Sequence, residues 1–402
     1  MKQKKERNWF LKEGAVQSII ASLICVFIGL LIGFIVLLII RPEYAWKGIT
    51  NILKNFMASS RADLRLKNFG NTLAKTSPLI MTALSILFCY KVGLFNIGAA
   101  GQYVVGAAAS LFAALVLKWH WLPCILLAVG VGAVYGAVVG VLKAYANVNE
   151  VISGIMLNWI GLYLANMLLN ATAKDTASNY TIYVTDTNPG ALIPSLGLSS
   201  LFGNEKVTMA IPLAIIIAVV IKILLDKTKF GYELKATGFN KNAAKYAGMA
   251  EKRNLIISLM IGGALAALGA ALYFLVDYER WSVSASSVPA MGFNGIAAAF
   301  LGGLNPIGTI FSSFFIQHIS DGGAYINHSL PGNPFDSQFS SLISSIIIYL
   351  CGFVFFMKYL MNKILAKKDE EASRKEAMKQ AAAMTEVNKE PPAQESSGKG
   401  GM

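Results

Sequence analysis

Neutral amides set among glycines are the residues of this chain whose types and spacing suit chemistry. In GLFNIGAAGQYVVGAAAS (93–110), Asn96 and Gln102 stand among Gly93, Gly98, Gly101 and Gly106. In NVNEVISGIMLNWIG (147–161), Asn149, Glu150 and Asn158 recur; Asn158 follows Glu150 by eight residues, roughly on the same helix face. In MGFNGIAAAFLGGLNPIG (291–308), Asn294 and Asn305 flank a break at Gly302 and Gly303, with Pro306 just beyond. An amide both donates and accepts, which suits hydroxyls and heteroaromatic nitrogens and does no acid–base work. An unpaired amide in an apolar medium costs free energy. The glycines alone are equally explained by close helix packing, and the break at 302–306 by a tight turn between two spans.

These residues sit in a chain that is 55% hydrophobic and only 14% charged, where soluble domains carry about a quarter. Its apolar runs reach the ~20 residues that cross a bilayer and lack the alternation of a barrel. The expected fold class is an all-α polytopic membrane protein. Runs at 17–40, 73–90, 94–117, 122–142, 151–169, 208–225 and 254–276, shorter pieces at 291–303 and 305–320, and a last run at 341–363 suggest about ten transmembrane helices. The run after MKQKKERNWFLKEG is too long for a signal peptide, and RPEYAW offers no small-residue cleavage site. It is expected to remain as the first span.

An even number of crossings puts both termini on one side. Lys2, Lys4, Lys5, Arg7 and Lys12 share that side with the loop 226–253, which carries Lys227, Lys229, Lys235, Lys241, Lys245, Lys252 and Arg253. Such an excess marks the cytoplasm. The net charge of +13 follows this pattern and points to no nucleic acid. The loop 170–207 opposite has only Lys174 and Lys206. Residues 41–72 are basic yet fall on the outer side. There Trp46, Ile49, Ile52, Leu53, Phe56 and Met57 recur at helical spacing, as in an outer amphipathic helix; a missed span fits as well. Residues 1–16 form a cytoplasmic N-terminus, 17–366 the membrane domain, and 367–402 a polar cytoplasmic tail, a frayed helix followed by disorder.

Several chemistries are disfavoured. The sequence has no G-x-x-x-x-G-K-[ST] phosphate loop. Cys25, Cys89, Cys124 and Cys351 lie in apolar runs without metal-ligand spacing, and His120, His318 and His328 are far apart. Within spans, charge is nearly missing: Lys143 and Glu150 flank an inner turn, while Asp277, Glu279 and Arg280 sit at an outer edge. Intramembrane carboxylates mark proton relays, so a proton-coupled carrier is disfavoured. Sodium is held by backbone carbonyls of broken helices, so an ion-coupled secondary transporter stays open as the alternative from another class.

Four segments in order, GLFNIGAAGQ, NEVISGIMLNWIG, GYELKATGFNKNAAKYAGM and MGFNGIAAAFLGGLNPIG, resemble motifs of the ABC-type import permeases for nucleosides and simple sugars. The resemblance covers about 73–363 and looks closer to the nucleoside branch; a ribose- or galactose-type sugar permease is the alternative. It implies a transport subunit of the bacterial plasma membrane that is not itself an enzyme and binds no cofactor. ATP and Mg would be used by a cytoplasmic ABC ATPase. A second, related permease chain would complete a heterodimer, and an extracellular binding lipoprotein would deliver a nucleoside. The path candidates are Phe95, Asn96, Gln102, Asn158 and Asn294, with Phe95 as a base-stacking surface.

The resemblance also makes 226–253 a coupling loop. The family carries E-A-A-x-x-x-G where it docks on the ATPase; here Asn242, Ala243, Ala244 and Gly248 fill the pattern, with asparagine in place of the acid. Asn240 suits an N-cap, a short helix over 241–247 follows, and Gly248 suits its left-handed end. Ala243, Ala244 and Ala247 would keep one side slim, while Phe239 and Tyr246 would anchor as aromatic contacts. Gly238 completes this set. The plain alternative is a basic inner loop with no partner.

Overall fold

The computed structural model describes residues 14–387. Residues 1–13 and 388–402, which hold most of the expected N-terminal segment and the end of the expected tail, lie outside the described residues. The principal helices are α1 (Gly14–Ile40), α2 (Ala45–Lys54), α3 (Ala62–Lys91), α4 (Ala99–Leu115), α5 (Trp121–Ala146), α6 (Glu150–Thr172), α7 (Ala210–Lys227), α8 (Lys229–Phe239), α9 (Lys241–Tyr246), α10 (Glu251–Phe274), α11 (Met291–Leu301), α12 (Pro306–Gly322), α13 (Ser337–Cys351) and α14 (Val354–Val387). Among the described residues no strand forms, only isolated bridges such as Lys174 with Thr181. The all-α polytopic membrane fold is therefore present.

Five helices are long and apolar enough to cross a membrane, namely α1, α3, α5, α6 and α10; a sixth is reached if Ser341–Cys351 and Val354–Lys375 count as one broken span. The other expected crossings fall on shorter or interrupted elements. α7 carries Lys222, Asp226 and Lys227 near its end. α4 is shorter than the run 94–117, because residues 92–98 are not helical. α3 is longer than the run 73–90, because its polar first turns stay helical against the far loop: Asn204 donates to the Lys67 carbonyl at 2.8 Å and to Asn71 at 2.8 Å.

α10 is the central helix and is buried over most of its length. It packs on α5 through small residues at backbone distance. A Cβ added to Gly136 would lie 2.1 Å from the Leu259 oxygen, and one on Gly263 would lie 2.1 Å from the Gly132 oxygen. Small residues allow such close approach, and membrane helices associate by it. α3 also runs through the core. Its Pro78 lacks an N–H and so cannot serve the Ala74 carbonyl; the Ser77 hydroxyl donates to that carbonyl instead, at 2.9 Å.

α2 buries Ala45, Gly48, Ile49, Asn51 and Ile52 and exposes Trp46 and Leu53. Of the segment 41–72, residues 45–54 form this amphipathic helix, while 62–72 are the first turns of α3. Its Asn51 amide donates to the Ile326 and His328 carbonyls at 3.1 and 2.7 Å. At the same end, the buried Asp277 accepts from the Thr185 N–H and hydroxyl at 3.1 and 2.6 Å. Arg280 pairs with Asp175 at 3.0 Å. The Ala177 N–H, the Ser178 hydroxyl and Arg280 together hold the Asp175 carboxyl below the usual carboxylate range. Residues 355–402 form a separate unit, of which the described part is helical to Val387.

Candidate functional site: a broken helix, a polar cavity and an exposed helical segment

The break before α4 is built from the amides that the sequence singles out. Asn96 and Gln102 face each other: the Asn96 amide donates to Gln102 Oε1 at 2.8 Å and to the Ser85 hydroxyl at 3.0 Å, and Gln102 Nε2 returns a bond to Asn96 Oδ1 at 3.2 Å. Both side chains are buried. Asn158 reaches across from α6. Its Oδ1 accepts from the Gly101 N–H at 2.7 Å, and its Nδ2 donates to the Ile97 carbonyl at 3.1 Å. One side chain thus serves a donor and an acceptor that the interrupted helix leaves open, as buried irregular backbone requires. These three amides are bonded to one another, to the Ser85 hydroxyl and to backbone. Their polar atoms hold the 92–98 segment in place.

Asn158→Leu is expected to remove the bonds that hold the Gly101 N–H and the Ile97 carbonyl and to destabilise the fold by about 1–3 kcal/mol. Thermal unfolding of the solubilised protein measures the loss. Unchanged stability would mean that the clasp does not hold the break.

Phe95 is half-buried, and its ring stacks at 6.5 Å on Phe300 of α11; Tyr90 meets Phe300 edge-on at 5.4 Å. These rings lie at the end of the bundle that carries the 226–253 loop. α11 ends at Leu301, with Gly303 beyond it at φ +66°, and α12 begins with Asn305 as N-cap, accepting from the Ile307 N–H at 3.0 Å, and Pro306 in the first turn. The piece from 291 to 301 is therefore a half-length helix.

Asn294 lies apart from the other amides. It lines a cavity of about 530 Å³ with Lys75, Tyr273, Gln317, Ser320 and Asp321. Sequence reasoning missed the two charges here. Lys75 Nζ pairs with Asp321 Oδ1 at 2.9 Å, both largely buried; Gln317 donates to the same oxygen at 3.0 Å, and Lys75 lies over the Tyr278 ring at 5.1 Å. Starting the second span at 73 makes Lys75 look like a flank, and ending the ninth at 320 leaves Asp321 in a loop. The available signal was a lysine within LAKTSPLIM, inside a helix rather than beside it. His318 bonds at long range in sequence, to the Leu53 carbonyl at 2.8 Å and to the Asn55 amide at 3.2 Å. Among the described residues no cluster of His, Cys, Asp or Glu forms a metal site.

The 226–253 loop folds as two short helices. Thr228 caps α8, accepting from the Gly231 N–H at 3.0 Å, and Asn240 caps α9, accepting from the Ala243 N–H at 3.0 Å. Gly248 ends the segment at φ +79°, a conformation that costs glycine little. Phe239 and Tyr246 are 91% and 92% exposed, as are Asn242 and Ala243 in lesser degree. The small residues do not share one outer face: Ala244 is buried, while Ala243 and Ala247 are exposed. Gly238 lies against the end of α3, where an added Cβ would be 2.7 Å from the Lys91 oxygen, and Gly93 approaches Gly238 in turn. Thr237 accepts from the Asn254 amide at 3.0 Å. Through these contacts the loop touches both the 92–98 segment and the start of α10. Beside it, Lys143 and Glu150 pair at 2.7 Å on the wall of an open cavity of about 370 Å³.

Two interrupted helices, a polar cavity at the start of α11 and the end of α12, and an exposed helical segment against the 92–98 segment are the features of a polytopic membrane transport subunit. The chain belongs to the family described as branched-chain amino acid transport system / permease component, matched over residues 68–352. It is 32% identical over 373 residues to the nucleoside ABC transporter permease protein NupB of Lactococcus lactis, covering 90% of this chain and 98% of that one. It is 27% identical over 364 residues to the guanosine ABC transporter permease protein NupP of Bacillus subtilis, covering 88% and 98%. NupC, a second nucleoside ABC transporter permease of Lactococcus lactis, is 29% identical over 257 residues, covering 61% of this chain and 78% of that one. No solved structure matches the chain. The protein is a multi-pass permease of the plasma membrane.

Proposed function

We propose that this chain is the permease subunit of an ATP-driven importer of nucleosides and forms part of the path by which they cross the membrane. The observation that carries this reading is the end-to-end similarity to NupB, over 90% of this chain and 98% of that one. Similarity to both NupB and NupC of one organism supports pairing with a second, related permease. A cytoplasmic ABC ATPase, using ATP and Mg, supplies the work, and an extracellular binding lipoprotein delivers the substrate. The 226–253 loop and both termini then face the cytoplasm, consistent with their lysines.

The geometry supports a coupling route. The ATPase grips α8–α9 at Phe239, Asn242, Ala243 and Tyr246. Movement of that segment pushes through Gly238 on Lys91 and Gly93 and through Thr237 on Asn254. It shifts the 92–98 segment, and with it Phe95 against Phe300. In this scheme the aromatic contact is the inner constriction of the path. Asn96, Gln102 and Asn158 keep the moving segment intact, and Asn294 faces the substrate.

The test is uptake of labelled guanosine and uridine in vesicles holding this chain, the second permease, the ATPase and the binding lipoprotein. Uptake is expected to require ATP, to be blocked by unlabelled nucleosides and to resist excess ribose. Uptake by this chain alone on an ion gradient would overturn the ATP-driven reading, and block by ribose would overturn the nucleoside reading.

A further inference from the structure

The polar cavity between α3, α10, α11 and α12 has more hydrogen-bonding capacity than the chain uses. Asp321 Oδ1 is engaged by Lys75 and Gln317, while its Oδ2 is buried without a hydrogen-bond partner among the described residues. The side chains of Asn294 and Ser320 line the same space, and neither has a bonded partner among the described residues. The cavity, at about 530 Å³, lies within the roughly 300–1,000 Å³ of small-molecule sites. Ala290 and Met291, at the start of α11, line it as well, and the Met291 carbonyl lies 3.3 Å from the Thr82 hydroxyl of α3. An orphaned carboxylate oxygen in such a place is costly unless a ligand completes it.

We infer that this cavity binds the cis-diol of a neutral sugar ring, which in the nucleoside reading above is the 2′,3′-diol of ribose. A carboxylate with a spare oxygen accepts hydroxyl hydrogens, and charge-assisted bonds of this kind are about twice as strong as neutral ones. Asn294 and Ser320 supply a donor and further acceptors for the remaining lone pairs. The Lys75 ammonium cancels the carboxylate, so the site carries no net charge in a medium where net charge is expensive. That selects a neutral polyol and disfavours a phosphorylated one, which would meet Asp321 with like charge. The ion pair is thus a way to place a strong acceptor inside the membrane without placing a net charge there.

The experiment uses the assembled importer in vesicles and measures uptake of a labelled ribonucleoside, its 2′,3′-dideoxy analogue and free ribose. The wild type is expected to prefer the ribonucleoside to the dideoxy analogue. Asp321→Asn is expected to reduce that preference about tenfold, and Asn294→Ala to lower ribonucleoside uptake more than analogue uptake at equal membrane levels. Where Asp321→Asn fails to reach the membrane because Lys75 is left unpaired, Lys75→Met with Asp321→Asn removes both charges and gives the same reading. Wild-type preference retained in both the Asp321 and Asn294 variants overturns the inference, as does a wild type indifferent to the two hydroxyls. Transport of free ribose but of no nucleoside, with the same sensitivity to Asp321, supports the diol site and overturns the nucleoside reading instead.

Discussion

Gly136→Val is expected to abolish accumulation of the folded protein. An added Cβ at this position lies 2.1 Å from the Leu259 oxygen and 3.0 Å from its carbon, so the clash is with backbone that has no rotamer to change. α10, on the far side, is packed against α3 and α4 as well as α5, and cannot retreat without opening the core. Overpacking alone costs about 1–3 kcal/mol where side chains can yield; here the yielding group is a helix axis. Monodisperse protein recovered after mild solubilisation is the measurement. Gly130→Ala on the same helix is the control, because nothing lies within 4 Å of its added Cβ, and it should accumulate as the wild type does. Equal recovery of Gly136→Val would show that the α5–α10 contact is looser than its geometry.

Phe239→Ala with Tyr246→Ala is expected to have the opposite profile: normal folding and membrane level, with uptake and ATPase association lost. Both rings are more than nine-tenths exposed, so their removal takes nothing from this chain's own core. Large exposed aromatics on a short, well-capped segment are the residues that anchor interfaces, worth about 2 kcal/mol or more each when truncated, or roughly thirtyfold in affinity. Co-purification of the ATPase with the permease reads the loss directly. Retained ATPase binding in the double variant would reduce the segment to a basic loop. Ala244→Glu is a poorer probe than Ala243→Glu. Ala244 is 3% exposed, so a charge there would damage the permease before it touched a partner.

The parts of this architecture set by neighbours in sequence are legible in the sequence. Asn240 before α9, Gly248 after it, and Asn305 with Pro306 before α12 obey local capping rules, and each stands where those rules put it. The apolar runs likewise mark α1, α5, α6 and α10, because crossing a bilayer demands length. What the sequence hides is pairing at a distance. Asn96, Gln102 and Asn158 stand out as amides, but whether an amide faces a substrate or another amide depends on helices 57 residues apart, as for Gly101 and Asn158. Lys75 and Asp321 are separated by 246 positions. Each looks like the polar edge of a span until the fold sets one against the other. The polar start of α3 hides for a related reason, since an apolar run marks the part of a helix in lipid and not the part packed against a loop.

The Asn158 clasp bears on how the protein is made. A chain threaded into the membrane from its N-terminus presents the 92–98 segment long before residue 158 is synthesised. Until then the Gly101 N–H and the Ile97 carbonyl lack the partners they have in the folded chain. Standing four residues apart, they can close on each other by extending α4 one turn toward its N-terminus. The open form of the 92–98 segment is therefore a shape the chain takes only once α6 lies beside it.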